Sequence, residues 1–390
     1  MQGFKKISSG VAAMLASINA HADYSWNFPE PVTPMALDTL HVHNKFMLIT
    51  MAIFVVVLAI MVYSIFAHRK SKNFKPVTDK APSTTIEIFW TLIPFAILLL
   101  IDFVIMGIPA YHSVIMMEDT RNEAKMVIKV TGSQWRWQYE YMDGDAQGIK
   151  FVSNLSTPQD QLKKGFKGDK DEQYLLEVDN RLVLPVGEKV RILMTATDVL
   201  HNWWVPQFGS SRVAVPGFIR ETWVQVDKPG TYRGQCKELC GKGHGYMPVV
   251  VDAVPMEEYK VWVAAKKEEI AKAASGSDKE WTKEELIETG KVVYEKNCAV
   301  CHQASGAGLP PAFPAITGSK ISTSPIFGDD GKYLKDGHLD RVLNGVRVMP
   351  AWKALLNDTE IAAVITYERN GLGNNVGDVL QPSQVKAARQ

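Results

Sequence analysis

Two long runs without balancing charge constrain this chain more than anything else in it. Phe46 to Ala67, FMLITMAIFVVVLAIMVYSIFA, contains no charged residue. Ile88 to Ala110, IFWTLIPFAILLLIDFVIMGIPA, contains one, Asp102. A hydrocarbon core is crossed by roughly 20 helical residues, so the spacing predicts two transmembrane helices, about 46–67 and 88–110. A buried hairpin of a soluble domain would not need runs this long and this apolar. The short loop between them, HRKSKNFKPVTDK, carries Arg69, Lys70, Lys72, Lys75 and Lys80. Short basic loops stay in the cytoplasm. Everything after about Tyr111 is therefore expected on the outer side, periplasmic in a bacterium with two membranes.

Residues 1–22 read as a signal peptide. Lys5 and Lys6 form a basic start, VAAMLASI is a short apolar core, and AHA places small residues before a cut at Asp23. Export leads to an oxidising compartment, where lone thiols need partners. The 43 basic and 42 acidic residues nearly cancel, which argues against a nucleic-acid-binding protein.

Behind the hairpin the pattern changes twice. From Lys125 to Ala253 short β-branched and aromatic runs, such as MVIKVTGSQWRWQYEY, YLLEVDNRLVLPVGEKVRILMTA and IRETWVQVDKPGTYRGQC, read as strands and are broken by Pro and Gly turns. That pattern predicts an all-β sandwich or barrel over 119–255. Residues 256–281 are rich in Ala, Lys and Glu and end in SGS, a helix followed by a hinge. Residues 282–374 turn helical. Leu286, Gly290, Val293 and Tyr294 share one helix face, and LNDTEIAAVITYERNGLG is a second helix, capped by Asn357 or Asp358 and stopped by Gly371. Residues 375–390 read as a polar tail.

All four cysteines fall in two clusters. In CKELCGKGHGYM, Cys236, Cys240, His244 and Met247 are spaced i, i+4, i+8 and i+11. His201, in DVLHNWWVP, offers a second imidazole on a strand end. A disulfide is the default for two cysteines in an exported protein. Structural zinc would leave Met247 idle, and a mononuclear blue-copper site would leave one cysteine over. Soft thiolate and thioether donors with two imidazoles suit two copper ions better, so ligand count puts copper ahead of these.

The second cluster, NCAVCH, contains C-x-x-C-H, the attachment motif for a c-type haem. Cys298 and Cys301 would form thioethers and His302 would be the proximal ligand. Met349, in NGVRVMPAW, is the expected sixth ligand, and Met with His raises a haem potential. His338, in KDGHLD, competes for that place but reads as a surface loop histidine.

These residues carry a resemblance. IEIFWTLIP, QWRWQYEY, LLEVDNRLVLP, DVLHNWWVP and PGTYRGQCKELC follow a two-helix hairpin in the order found in subunit II of haem–copper cytochrome c oxidases, over Asp23 to about Tyr259. The stretch from about Glu284 to Leu372 resembles a class I cytochrome c. The resemblance implies a cupredoxin barrel holding a dinuclear CuA centre. In it Cys236 and Cys240 bridge two coppers, His201 and His244 bind one each, and Met247 and the Glu238 carbonyl are weaker ligands. It also implies a magnesium ion at the Glu238 side chain, electron uptake at Trp135 and a proton path beginning at Glu87. Trp135, Trp137 and Tyr139 alternate, so one exposed tryptophan in that row is expected. Val213 stands where the family often has an acidic residue, so no role resting on that carboxylate is carried over.

The implied function is electron relay. Electrons would come from a soluble cytochrome c or a quinol–cytochrome c reductase, enter the covalent haem, pass to CuA, and reach the oxygen-reducing, proton-pumping subunit I. A nitrous oxide reductase shares the copper loop but is a large soluble enzyme, which the hairpin opposes. A quinol oxidase subunit typically lacks the copper ligands. The fused haem domain would act as a tethered donor whose reach the 256–281 linker sets.

Overall fold

The computed structural model describes residues 27–72, 83–105, 107–158, 161–162, 165–275, 279–311, 313–347 and 349–389. The expected signal peptide, Lys75 and Lys80 lie outside them.

Helix α1, Pro34–Ala67, begins well before the uncharged run because its cap is strong. The Thr33 hydroxyl accepts from the Ala36 N–H at 3.0 Å and donates to the Phe208 carbonyl at 2.7 Å. Thirty-four residues span about 50 Å, more than the roughly 30 Å of a hydrocarbon core, so the first turns stand outside it. They rest on the β domain at Gly209, where φ is +65° and a Cβ would fall 2.6 Å from the Ala36 Cα.

The second span is not one regular helix. Helix α2, Thr84–Leu99, passes into a π-helical stretch, Leu100–Ile105, and α3 follows at Gly107–Glu118. A Cβ at Gly107 would lie 2.1 Å from the Asp102 carbonyl oxygen, so the widened turn needs a residue without a side chain there. Along α1 and α2 large apolar side chains such as Phe54, Leu58, Phe89 and Leu98 are exposed, and neither apolar window is buried within the chain. Such faces suit lipid. The end of α3 is fastened to the β domain: the Trp223 indole N–H donates to the Met116 carbonyl at 2.8 Å. Glu221 accepts from Arg191 at 2.6 Å and from the Thr120 hydroxyl at 2.8 Å. The Arg191 contact is the main reason its carboxyl is held down at about 2.

Among the described residues ten strands form two five-stranded sheets. They are β1 Met126–Ser133, β2 Arg136–Tyr141, β3 Lys150–Ser153, β4 Leu182–Pro185, β5 Lys189–Ala196, β6 His201–Trp204, β7 Ser211–Ala214, β8 Arg220–Gln225, β9 Gly230–Cys236 and β10 Pro248–Val254. The orders are β3-β2-β1-β5-β8 and β4-β10-β9-β6-β7, with β1–β5 and β4–β10 parallel. Inward-facing residues alternate along β5, whose Val190, Ile192 and Met194 are buried. Trp137, Tyr139, Trp203 and Phe208 fill the core between the sheets. The expected YLLEV strand does not form: among the described residues this segment makes one isolated bridge, Leu155 to Val178.

Helix α4, Met256–Ser275, is only partly a linker. Tyr259 and Val263 are buried against the β domain, and Trp262 packs on Tyr141 at 5.3 Å. The helical domain that follows contains α5 Lys283–Asn297, α6 Ala299–His302, α7 Lys320–Thr323, α8 His338–Asn344, α9 Asp358–Asn370 and α10 Pro382–Ala388. Capping boxes start α5 at Thr282 and α9 at Asn357, and Gly371 ends α9. The expected polar tail is instead folded: Leu380 and Val385 are buried, and Gln381 exchanges hydrogen bonds with the Trp281 backbone.

The two domains are also packed together, in addition to the tether that the 256–281 segment provides. Val300, Cys301 and Phe313 of the helical domain pack on the β-domain core. Apolar area shared in this way stabilises a docked arrangement in addition to any tether.

Candidate metal centres

The copper-loop residues hang from one end of the sandwich. Cys236 ends β9, Met247 precedes β10, and the antiparallel pairing of those strands closes the loop between them. His201 begins β6 and lies over β1 at Gly132, where a Cβ would fall 2.9 Å from the imidazole. Gly243 makes room in the same way for Trp135, whose ring a Cβ would approach to 2.3 Å.

The donors form a short succession. His201 Nδ1 is 4.0 Å from Cys236 Sγ, which is 3.9 Å from Cys240 Sγ, which is 3.4 Å from His244 Nδ1. Met247 Sδ lies 3.5 Å from Cys240 Sγ, and the Glu238 carbonyl oxygen 3.3 Å from Cys236 Sγ. All four cysteines are free thiols, so the disulfide alternative is not the arrangement adopted. His201, Cys236 and Cys240 bring one ligand atom each within 4.8 Å of one another, a group that could hold a metal ion. With an imidazole at each end and two sulfurs between, the donors fit two soft metal ions.

Electrostatics favour a single thiolate in the pair, on Cys236. The Cys240 thiol donates toward Cys236 and lowers it below the usual thiol range, and His201 adds to this. The same contact, with burial, raises Cys240. Burial by itself would depress His201, but the Asp198 carboxylate at 2.8 Å from Nε2 raises it on balance. That bond also leaves Nδ1 directed at Cys236. Asp198 is a partner the sequence reading missed, although its spacing three residues before His201 was visible. The Glu238 side chain is half-buried on the same loop.

Trp135 departs from expectation. It precedes β2 in a turn and is 7 % exposed, so it is not a solvent-facing tryptophan. Its indole N–H donates to the Cys240 carbonyl at 3.1 Å, and Gln134 Nε2 donates to the same oxygen at 2.8 Å. Phe313 of the helical domain meets its ring edge-on at 6.4 Å. Docking of that domain is what covers it.

The second cluster lines a cavity of about 460 Å³ in the helical domain. Cys298 caps α5, while Cys301 and His302 lie on α6, so C-x-x-C-H follows one chain turn into the cavity wall. His302 Nδ1–H donates to the Pro314 carbonyl at 2.8 Å, which leaves Nε2 available to a ligand. Met349 faces the same cavity, its backbone paired both ways with Val346. Volume, apolar lining and donors fit a covalently attached haem.

His338 is not a surface histidine. It begins α8, is 5 % exposed, lines the cavity, and lies 2.6 Å from the carboxylate of Glu368, itself buried on α9. Helical periodicity on α9 could have shown Glu368 facing inward. Glu87 lies in the first turn of α2 and Asp102 in the π-helical stretch; both are exposed.

Comparison with known proteins agrees along nearly the whole chain. Residues 126–254 match the family described as cytochrome c oxidase subunit II, periplasmic domain, and residues 21–108 its transmembrane domain. Residues 275–367 match the family described as cytochrome c oxidase, cbb3-type, subunit III. Cytochrome c oxidase subunit 2 of Oenothera berteroana is 35 % identical over 254 residues, 64 % of this chain and 93 % of that protein. The probable cytochrome c oxidase subunit 2 of Rickettsia felis is 38 % identical over 240 residues, 61 % of this chain and 71 % of that one. The crystal structure of the periplasmic domain of subunit II of the Bradyrhizobium japonicum cytochrome oxidase is 38 % identical, covering 37 % of this chain and 96 % of its own, with a TM-score of 0.32. With such relatives matched over most of their own length, this chain belongs to the cytochrome c oxidase subunit II family, with a cytochrome c domain fused behind it.

Proposed function

We propose that this subunit relays electrons from a covalent c-type haem to a dinuclear CuA centre and on to the catalytic subunit, where oxygen is reduced to water and protons are pumped. One observation carries the reading. The cavity lined by Cys298, Cys301, His302 and Met349 is also lined by Gln134, and Gln134 and its neighbour Trp135 both hydrogen-bond the Cys240 carbonyl. The two clusters are thus joined by one residue pair.

When bound, the haem and the copper pair supply sites that take up and release single electrons with little change in bonding. The protein's part is to hold and shield them. Cys236 and Cys240 would bridge the coppers, His201 and His244 would bind one each, and Met247 and the Glu238 carbonyl would complete the set. Cys298 and Cys301 would fix the haem, between His302 and Met349. Trp135 would pass the electron between them, shielded from solvent by Phe313. Glu238 would offer its side chain to magnesium against subunit I, and Glu87 would stand at the mouth of a proton path. The donor would be a soluble cytochrome c or a quinol-oxidising complex, reaching the haem domain because Trp135 is covered. Lipid surrounds α1 and α2, and the copper and haem domains would lie on the periplasmic side of a bacterial inner membrane. The other reading, a copper and haem carrier for another terminal reductase, is disfavoured by the membrane hairpin.

Metal and haem analysis of the purified full chain tests this. Two coppers and one covalent haem per chain are expected; zinc in place of copper would end the reading. A finer test is Trp135→Phe. Gln134 keeps the Cys240 carbonyl bonded, so copper absorption should stay as in the wild type while reduction of the copper centre by the haem slows by about tenfold or more. An unchanged rate would remove Trp135 from the path.

A further inference from the structure

Arg136 is the first residue of β2, yet its side chain leaves the β domain. It is 3 % exposed. Its Nη2–H donates to the Asn297 carbonyl at 3.1 Å and Nη1 lies 3.5 Å from Asn297 Oδ1. Asn297 ends α5 and precedes Cys298, so the guanidinium sits at a helix C-terminus, where backbone carbonyls carry partial negative charge. Its Cζ also lies 4.6 Å from the centre of the Trp352 ring, three residues beyond Met349. One β-domain cation therefore touches a residue close in sequence to each group of expected haem ligands, and it lines their cavity. Among the described residues no carboxylate pairs with it, and its Nε is buried without a partner.

A buried cation held by neutral groups is costly to maintain. Here it has an electrostatic consequence. A reduced haem carries one positive charge fewer than an oxidised one, so a fixed cation in the cavity wall favours reduction. The cation belongs to the other domain, so it acts only while the domains are docked. Coupling free energies are reciprocal: whatever docking does for reduction, reduction does for docking.

We infer that Arg136 is a redox-sensitive clasp, which raises the potential of the haem by docking and docks the haem domain more tightly when the haem is reduced than when it is oxidised. The inference rests on the proposed covalent haem. It makes docking follow the electron: the domain is held against Trp135 while it has an electron to give, and is freer to meet its own donor afterwards.

The test uses the full chain with its copper and haem. Redox titration of the haem absorption is compared among wild type, Arg136→Gln and Arg136→Lys. Arg136→Gln should lower the ratio of reduced to oxidised haem at a fixed applied potential about tenfold, a shift of about 59 mV for one electron. Arg136→Lys keeps the charge and should retain most of the wild-type potential. Hydrogen exchange at Val300, Cys301 and Phe313, where the domains meet, should be slower in reduced than in oxidised wild type, and this difference should vanish in Arg136→Gln. An attached haem whose potential is the same in all three proteins overturns the inference alone, as does an equal drop in both variants. A wild-type chain without covalent haem overturns the functional reading beneath it.

Discussion

Replacing Cys236 by serine should strip the chain of the proposed dicopper centre while leaving the proposed covalent haem in place. Cys236 is the middle of the donor succession: its sulfur faces His201 Nδ1, Cys240 Sγ and the Glu238 carbonyl within 4.0 Å. A serine hydroxyl is a hard donor that stays protonated near neutral pH, so it cannot share charge between two soft metal ions. The fold should survive. Serine is close to isosteric, and the Cys236 N–H remains bonded to the Met247 carbonyl whichever side chain it carries. Copper should fall from two per chain to at most one, and the thiolate–copper absorption should disappear. Haem content should stay at one, because Cys298 and Cys301 stand at the α5–α6 turn of the helical domain and not in the copper loop. Two coppers retained in Cys236→Ser would show that the sulfur is not a bridging ligand.

Gly290→Ala should cost the cytochrome domain about 3 kcal/mol, the upper end for overpacking. Helices α5 and α9 cross at this residue. A Cβ there would lie 2.0 Å from the Ala363 carbonyl oxygen and 2.8 Å from the Tyr367 Cβ. The obstacle is backbone, so no rotamer change relieves it. Leu286, Tyr294, Ala362 and Ala363 are fully buried around the crossing, which leaves the helices nowhere to part without opening the core. For a domain of this size the loss corresponds to a fall in melting temperature on the order of 10–20 °C. Thermal unfolding followed at the haem absorption would measure it, while the copper absorption should be unaffected below that temperature. A melting temperature within a degree or two of the wild type would mean that the helices do not approach at Gly290.

Several features were legible because they depend on local chemistry. Two apolar runs announce membrane helices, since a lipid-facing helix needs no information from distant residues. C-x-x-C-H and the copper loop are short, so the chain must bring their donors close whatever else it does. Alternation and Gly/Pro turns revealed the β domain for the same reason. The expected strand at YLLEV failed where no neighbouring strand offered a ladder, and the second span was broken at Gly107 by a backbone approach that residue spacing does not display.

The remaining features depend on which distant segments meet. Alternation suggested an exposed Trp135, but Phe313, 178 positions away, covers it. His338 looked like a loop residue until α8 turned it against Glu368. Arg136 stands in an aromatic strand, yet its side chain crosses a domain boundary to Asn297. From sequence, then, come the candidate donors, the proposed cofactors and the two apolar spans, because short spacings and composition set them. From packing come the burial of Trp135 and the docking of the two domains, because those arise from long-range apolar contact and a buried charge that no local pattern encodes.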